Sequence, residues 1–482
     1  MSSAGLSPSI PTIFLVLVFI LLIAKKSSSQ SLNVVLDRVV KEPGFNLNKQ
    51  YIISSGFPIG NGETTGLVFG VNETFRTSPE FMLEEGVHVQ IAMTTAMASD
   101  SSLMPLGILS LITEPSIYSD DSEFVQTLYM HNATVEIRTN VGSAIVYVDA
   151  KSNSVVARVY GVSLSKMKIV PLRSTRESFL YSGRCSSPTS QPDEMIVNGS
   201  TVTLTHRNVD SDLTVLNQKG FLNSTLRQQG MDPSSFQSLD QWRSRQFGLI
   251  ASQDDESTVR VTTLSKQTES SEDWHREIRA LHNTLSSSSY RDHEDHWNQF
   301  WNRSWIVVSN NTALTERYAQ TRYVNAIQSG TWVPIKFNGM TFTAQLPPET
   351  NSSGPTHRQW GASNWWQNTR LPYHAMLYSG DYDAMSTIFD YFSMMLPLLR
   401  ARTEQFFNHS GIYITETHTL FGAYDVCDYG TAAQRASDGL NPGIEDSQWI
   451  GLDFAGDAGL PELSIMLLDY YVHTTDDEKM SL

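Results

Sequence analysis

Residues 133–162 read ATVEIRTNVGSAIVYVDAKSNSVVARVYGV. Three runs rich in β-branched residues, Ala133–Thr139, Ala144–Ala150 and Val155–Val162, are set apart by Asn, Gly, Ser, Lys and Asp. Short apolar runs between turn-forming residues predict strands, because branched side chains pack on a pleated surface and turn residues release the chain from it. Apolar residues alternate along each run, which implies one buried face and an antiparallel arrangement. The same pattern recurs on both sides, in Gly66–Val71, His88–Met93, Gly107–Thr113, Lys166–Leu172, Thr201–Arg207 and Val259–Leu264. Residues 31–267 are therefore expected to form an antiparallel β-sandwich, with loops and a short helix in the polar stretch between Arg207 and Arg245.

The period changes at Ser270. Ser270-Ser-Glu-Asp273 offers an N-cap, and Trp274, Ile278 and Leu281 follow at helical spacing. A second helix is predicted over Tyr290–Trp301, and residues 268–311 read as a helical linker. In that helix His293-x-x-His296 has a metal-like spacing but lacks further ligands, and its structural reading is preferred. From 312 to 482 helices dominate: Thr312–Ser329, a Trp-rich helix started or kinked by Pro372, Tyr382–Phe407 and Pro461–His473. Gly380 followed by Asp381 predicts a stop and a possible new N-cap, hence a helical hairpin. The expected class is multi-domain, β followed by α.

The chain has 482 residues, enough for two large domains, and carries 34 Lys plus Arg against 50 Asp plus Glu, a net charge of −16. That balance argues against nucleic acid or an anionic membrane as partner, and a neutral oligosaccharide meets no such objection. The apolar run Ile13–Ala24 is too short to span a bilayer, which takes about twenty residues, and fits the core of a secretory signal or signal anchor within residues 1–30. Asn72, Asn132, Asn198, Asn223, Asn302, Asn310, Asn351 and Asn408 each open an N-x-S/T sequon. Signal and sequons together predict a secreted or secretory-lumen protein. Cys185 and Cys427 stand too far apart in sequence to predict pairing, and no metal-ligand spacing or cofactor motif appears.

Two stretches draw attention as sites. Gly56-Phe-Pro-Ile-Gly-Asn-Gly62 is glycine-rich but lacks the Gly-Lys-Ser/Thr of a phosphate loop, so it reads as a turn needing positive φ. Around Trp360, Trp365 and Trp366 lie Gln367, Asn368 and Arg370. Indoles stack on the C–H face of a sugar while amides and guanidinium bond its hydroxyls, so Trp360, Trp365, Trp366, Asn368 and Arg370 are candidate substrate-binding residues. A buried aromatic helix is the competing reading.

Five motifs stand in order: Pro58-Ile-Gly-Asn-Gly62 with Gly66-Leu-Val-Phe-Gly70, His296-Trp-Asn-Gln-Phe-Trp-Asn-Arg-Ser-Trp305, Pro334-Ile-Lys-Phe-Asn-Gly339, Trp366-Gln-Asn-Thr-Arg-Leu-Pro-Tyr373 and Leu467-Leu-Asp-Tyr-Tyr471. They resemble the six-hairpin glycosidases, specifically glycoside hydrolase family 95 and, in the last three motifs, a sister family related to it. The resemblance implies a β-sandwich followed by an (α/α)6 barrel, and removal of α-linked fucose or galactose by inversion. Asn338, in the third motif, completes the expected substrate-binding set. Where family 95 carries Asn-x-Asn, this chain has Trp366-Gln-Asn368 and so keeps only the second asparagine. A twelve-helix barrel also exceeds the four or so helices read here, so the resemblance implies a truncated chain whose acid and base fall beyond Leu482. Inversion needs a carboxylic acid and a carboxylate roughly 6.5–9.5 Å apart. Within the chain Glu416, Asp425, Asp428 and Glu462 are available; Glu416 is the candidate catalytic acid and Glu462 is expected to cap the last helix. The functional expectation is a glycoside hydrolase-like protein acting on or binding a neutral glycan, with a non-catalytic carbohydrate-binding protein or an inactive fragment as alternatives.

Overall fold

A computed structural model describes residues 37–40, 56–72, 74–76, 82–98, 103–118, 123–180, 189–208, 244–284, 290–336, 364–412, 414, 417–418 and 460–481. Two antiparallel sheets face each other. The larger has nine strands in the order Asp37–Val40, Val125–Tyr129, Thr134–Arg138, Ser143–Val148, Ser154–Tyr160, Thr258–Gln267, Arg245–Gln253, Thr201–Arg207 and Glu194–Asn198. The smaller runs Ser163–Val170, Gly107–Glu114, Gly86–Met93, Thr64–Val71 and Phe57–Gly60. Between them lies one apolar core that joins Val68, Val89, Ile91 and Leu109 of the small sheet to Val135, Val146, Val155, Phe247 and Val261 of the large one.

Alternation holds where the sequence shows it best, in Ser143–Val148, whose residues are half-buried and buried by turns. It fails in Thr64–Val71 and Gly86–Met93, where every residue is buried. The reason is a second apolar layer: Leu67, Phe69, Val71, Ile108 and Val170 on the outer face of the small sheet pack with Leu83 and Leu172. A strand covered on both faces has no polar side to display, so its pattern becomes a continuous apolar run.

Seven helices follow among the described residues: α1 (Ser271–Thr284), α2 (Tyr290–Arg303), α3 (Thr312–Ala326), α4 (Trp366–Ser379), α5 (Tyr382–Phe407), α6 (Leu460–Thr474) and α7 (Asp477–Met480). The Ser270 hydroxyl accepts from the Asp273 amide at 3.1 Å, the cap that opens α1. Pro372 neither starts nor ends a helix. It lies inside α4, which begins six residues earlier at Trp366; this is past the first turn, so the missing N–H costs the helix the one bond it would have given the Asn368 carbonyl. Gly380 closes α4 in the left-handed conformation at φ 73°, and α5 turns back from it. None of the described helices is long and apolar enough to cross a membrane.

Cores do not divide at the linker. Trp297, Phe300 and Trp301 of α2 and Ala319 and Tyr323 of α3 belong to the sandwich core. The Trp301 indole N–H donates to the Met130 carbonyl at 2.9 Å. His293 is enclosed between Tyr147 and Tyr290, its Nδ1 accepting from the Ala150 amide and its Nε2 donating to the Asn132 carbonyl at 2.7 Å. Both ring nitrogens are thus used within the protein. A separate core unites Trp366, Tyr373 and Met376 of α4, Ile388, Tyr391 and Phe392 of α5, and Met466 and Tyr470 of α6, with Met97 and Leu103 reaching in from the sandwich side.

The glycine-rich loop is where α3 meets the sandwich. The Asn61 side-chain amide donates to the Asp149 and Ser152 carbonyls at 3.0 and 2.8 Å, and its oxygen accepts from the Thr64 amide at 2.9 Å. The Gly62 amide donates to the Ile327 carbonyl at 3.2 Å, and the Tyr323 hydroxyl donates to the Pro58 carbonyl at 2.8 Å. Gly62 sits at φ 97°, as a turn of this kind requires, and a Cβ placed there would lie 1.8 Å from the Ser329 carbonyl oxygen. Glycine therefore serves both the turn and the close approach of α3. Gly62→Ala is expected to cost about 2–3 kcal/mol from backbone strain and displaced packing. Urea unfolding of the variant checks this, and a midpoint equal to that of the parent refutes it.

α3 is tied to the helical hairpin by a buried ion pair. The Arg322 guanidinium meets Asp381 in two parallel bonds, Nε to Oδ2 and Nη2 to Oδ1, both 2.8 Å. Two further N–H groups, on Nη1 and Nη2, donate to the Ser304 and Phe300 carbonyls, and the guanidinium carbon lies 4.0 Å from the Phe300 ring centre. Asp381 also accepts from Arg303 at 3.0 Å and from the Ser379 hydroxyl at 2.6 Å. Asp381 stands at the N-cap position of α5, but its carboxylate makes no cap bond; it turns to the arginines instead.

Candidate functional site

The expected sugar-binding stretch is divided by the pitch of α4. Trp366, Arg370 and His374 are four residues apart and so share one side of the helix. All three converge on Glu462 in the first turn of α6: the Trp366 indole N–H at 3.2 Å, Arg370 Nε at 2.8 Å and His374 Nε2 at 3.2 Å. Trp366 is 1% exposed and packs edge-to-face on Phe392, with ring centres 5.6 Å apart. Its assignment to a sugar face is therefore corrected: stacking needs an open indole face, and this one belongs to the helical core. Arg370 remains half-buried, with its Nε committed to Glu462. Glu462 does not act as a simple cap; it fastens α6 to α4.

The rest of the stretch is more open. Gln367 is exposed and Trp365 and Asn368 are half-buried, at and just beyond the entry to α4. Asn364 and Trp365 form a two-residue antiparallel pairing with His418 and Thr417. This brings the aromatic–amide segment to the chain immediately following Thr415-Glu416, which lies more than fifty positions downstream. Beneath the pairing Asn364 and Tyr391 are fully buried. Burial holds the Tyr391 hydroxyl far above the usual phenol range, opposed by a hydrogen bond from Asn364, so it acts only in its neutral form. Trp360, Asn338, Glu416, Asp425, Asp428, Cys185 and Cys427 lie outside the described residues.

Among the sequons, Asn72, Asn198, Asn302, Asn310 and Asn408 are exposed, while Asn223 and Asn351 lie outside the described residues. Asn132 is corrected as a glycan acceptor in the folded protein. It is buried, and its side-chain nitrogen donates to the Tyr290 hydroxyl at 3.0 Å, leaving no room for a sugar there.

Another constellation escaped sequence reasoning. Ser190 Oγ lies 3.2 Å from His206 Nε2, and His206 Nδ1 lies 3.0 Å from Asp193 Oδ1. These are the contacts of a nucleophile, a base and an orienting carboxylate. Each of the three residues, however, is 1% exposed, and a nucleophile must be reached by its substrate. Arg173 also grips Asp193, with Nη2 2.9 Å from Oδ2. Burial by itself would raise the Asp193 carboxyl, but the Arg173 charge and the His206 hydrogen bond outweigh it and hold the group below its usual range. The set works as a polar crosslink between the strand Thr201–Arg207 and the segment that precedes it. Among the described residues no group of three or more His, Cys, Asp or Glu side chains is placed to hold a metal ion.

The geometry of the Trp365–Asn368 surface thus stands on this chain alone: no model of a known protein family matches the sequence, and no curated protein is similar to it.

Proposed function

We propose that the chain is a glycoside hydrolase-like protein of the six-hairpin type, acting on or binding a neutral oligosaccharide in the secretory lumen or outside the cell. The observation that carries this reading is the pairing of Asn364–Trp365 with Thr417–His418. It gathers a half-exposed indole, two side-chain amides and the residue after Glu416 at one end of α4. An indole with amides beside it suits a sugar ring: the C–H face stacks while the hydroxyls find bonding partners. In this proposal α4 and α5 form the start of an (α/α)6 barrel behind the sandwich, as the motif resemblance implies, and the signal-like N-terminus with exposed sequons fits the compartment.

One carboxylate near this surface is set aside as its acid. Glu462, the carboxylate beside this surface, already accepts from three donors. A general acid has to carry a proton to the leaving oxygen, and a carboxylate occupied in this way is better suited to holding two helices together. Calorimetric titration with neutral oligosaccharides, run beside hydrolysis assays on aryl α-fucosides and α-galactosides, tests both forms. Trp365→Ala is expected to weaken glycan binding by about 1–2 kcal/mol through lost stacking, with unfolding unchanged. Undiminished affinity in a folded variant would remove this surface from consideration.

A further inference from the structure

A cavity lies away from the Trp365–Asn368 surface, where the sandwich loop, α2, α3 and the α4–α5 turn meet. Asn61, His296, Arg303, Asn325, Ser329 and Asp383 contribute to its wall, around the Arg322–Asp381 pair. Its volume is about 280 Å³, just under the roughly 300–1,000 Å³ of pockets that take drug-sized ligands. A ligand the size of one sugar ring fits that scale.

Lining chemistry narrows the class. Arg303 and Arg322 bring two positive charges, and Asp381 and Asp383 bring two negative ones. His296 adds none near neutral pH, because burial, with Lys151 and Arg303 nearby, lowers its pKa from the ordinary histidine value. An anion entering would approach two carboxylates and a cation two guanidinium groups, so the wall favours neither. Yet the wall is polar. The Ser329 hydroxyl is buried and has no hydrogen-bond partner among the described residues, a state that costs free energy unless a ligand or water satisfies it. Around it stand the Asn325 amide, the half-buried His296 ring and the exposed side of Arg303, while Phe300, Ala326 and Met376 give the apolar surface on which a C–H face can rest. We infer that this junction cavity is a binding site for a small uncharged polyhydroxy compound, a monosaccharide or polyol, separate from the glycan surface proposed above. Because its walls come from both halves of the fold, an occupant would brace the sandwich against the helical hairpin.

The test uses the full chain at pH 7, titrated by NMR with D-glucose, D-glucose 6-phosphate and D-glucosamine, which place a neutral, an anionic and a cationic group on the same ring. Glucose is expected to bind saturably in the millimolar range, and each charged analogue at least tenfold more weakly. Ser329→Ala should weaken glucose binding about tenfold without lowering the melting temperature, since the hydroxyl bonds none of the described residues. Thr321→Trp, at an exposed position on the cavity wall, should abolish binding by filling the space. Three results would overturn the inference: no saturable glucose binding, equal binding of a charged analogue, or retention of binding in a folded Thr321→Trp protein. Loss of glucose binding in Asn368→Ala, with Thr321→Trp unaffected, would place the sugar on the α4 surface and reject the cavity while sparing the proposed function.

Discussion

Asp381→Ala is expected to destabilise the folded protein by about 3–5 kcal/mol, the range found when one partner of a buried ion pair is removed. The side chain of Arg322 is 3% exposed and that of Asp381 6%. Without the carboxylate, the guanidinium keeps its bonds to the Phe300 and Ser304 carbonyls but loses both charge-assisted ones, and water cannot readily replace them. Ser379 loses an acceptor in the same stroke. The damage should be localised, because Asp381 sits at the turn between α4 and α5 whereas Arg322 is anchored through α3 to α2. Protease sensitivity should therefore rise first in 364–412, with the sheets persisting to higher denaturant. The double variant Arg322→Met with Asp381→Leu separates charge from packing, since the one ion it leaves unpaired, Arg303, is exposed to water, and it should recover much of the loss. If urea unfolding shows Asp381→Ala within about 1 kcal/mol of the parent, the pair behaves as a solvated surface bridge and the assigned role fails.

That ion pair marks the boundary of what the sequence could tell. Its partners stand fifty-nine residues apart, and nothing in local spacing announces that they meet. By contrast Ser143–Val148, the Ser270 cap, the Gly380 stop and the span of α5 were legible because each rests on residues adjacent in the chain. The strands Val125–Tyr129, Glu194–Asn198 and Arg245–Gln253 were not read, although each pairs with the next strand along the chain across a short turn; what hid them is their mixed polar composition, which shows no clean alternation. The candidate site divides along the same line. The Trp366, Arg370 and His374 spacing was visible and points to a shared helix side, but whether that side meets sugar or protein depended on α6, more than eighty residues on. Trp366 turned inward because Glu462 and Phe392 were there to receive it. The glycine-rich loop was read correctly as a turn, while its second duty, admitting the end of α3, could be seen only once the two were placed together.

Acidification from pH 7 to pH 4 is expected to remove about 6 kcal/mol of stability through two histidines, roughly 3 kcal/mol from each. His88 lies fully buried on the outer face of the small sheet, stacked on Phe69 at 5.5 Å, with Nε2 bonded to the Glu84 carbonyl at 3.0 Å. Burial lowers its pKa from 6.5 to about 3. His293 is lowered from 6.5 to about 4, again chiefly by burial, with the Asn132 carbonyl pulling the other way. Its Nδ1 accepts from the Ala150 amide, a bond that a protonated ring cannot keep. Both folded pKa values lie below the unfolded one, so the unfolded chain takes up protons first as pH falls. Their stabilisation is present in full only above about pH 6.5 and drains away as the pH falls, down to about 4 for His293 and about 3 for His88; it does not reappear on the acid side. His282 and His296 are lowered in the same direction, by burial first, and steepen the decline. Against a total stability of about 5–15 kcal/mol for a folded protein, a loss of this size brings the sandwich close to unfolding at pH 4. Urea midpoints measured at pH 7.5, 6, 5 and 4 should be level at first and then fall steadily. In His88→Gln, which has no proton to gain, the fall should shrink by about half. A midpoint constant from pH 6.5 to 4 would mean that both rings protonate in the folded state, and hence that water reaches them.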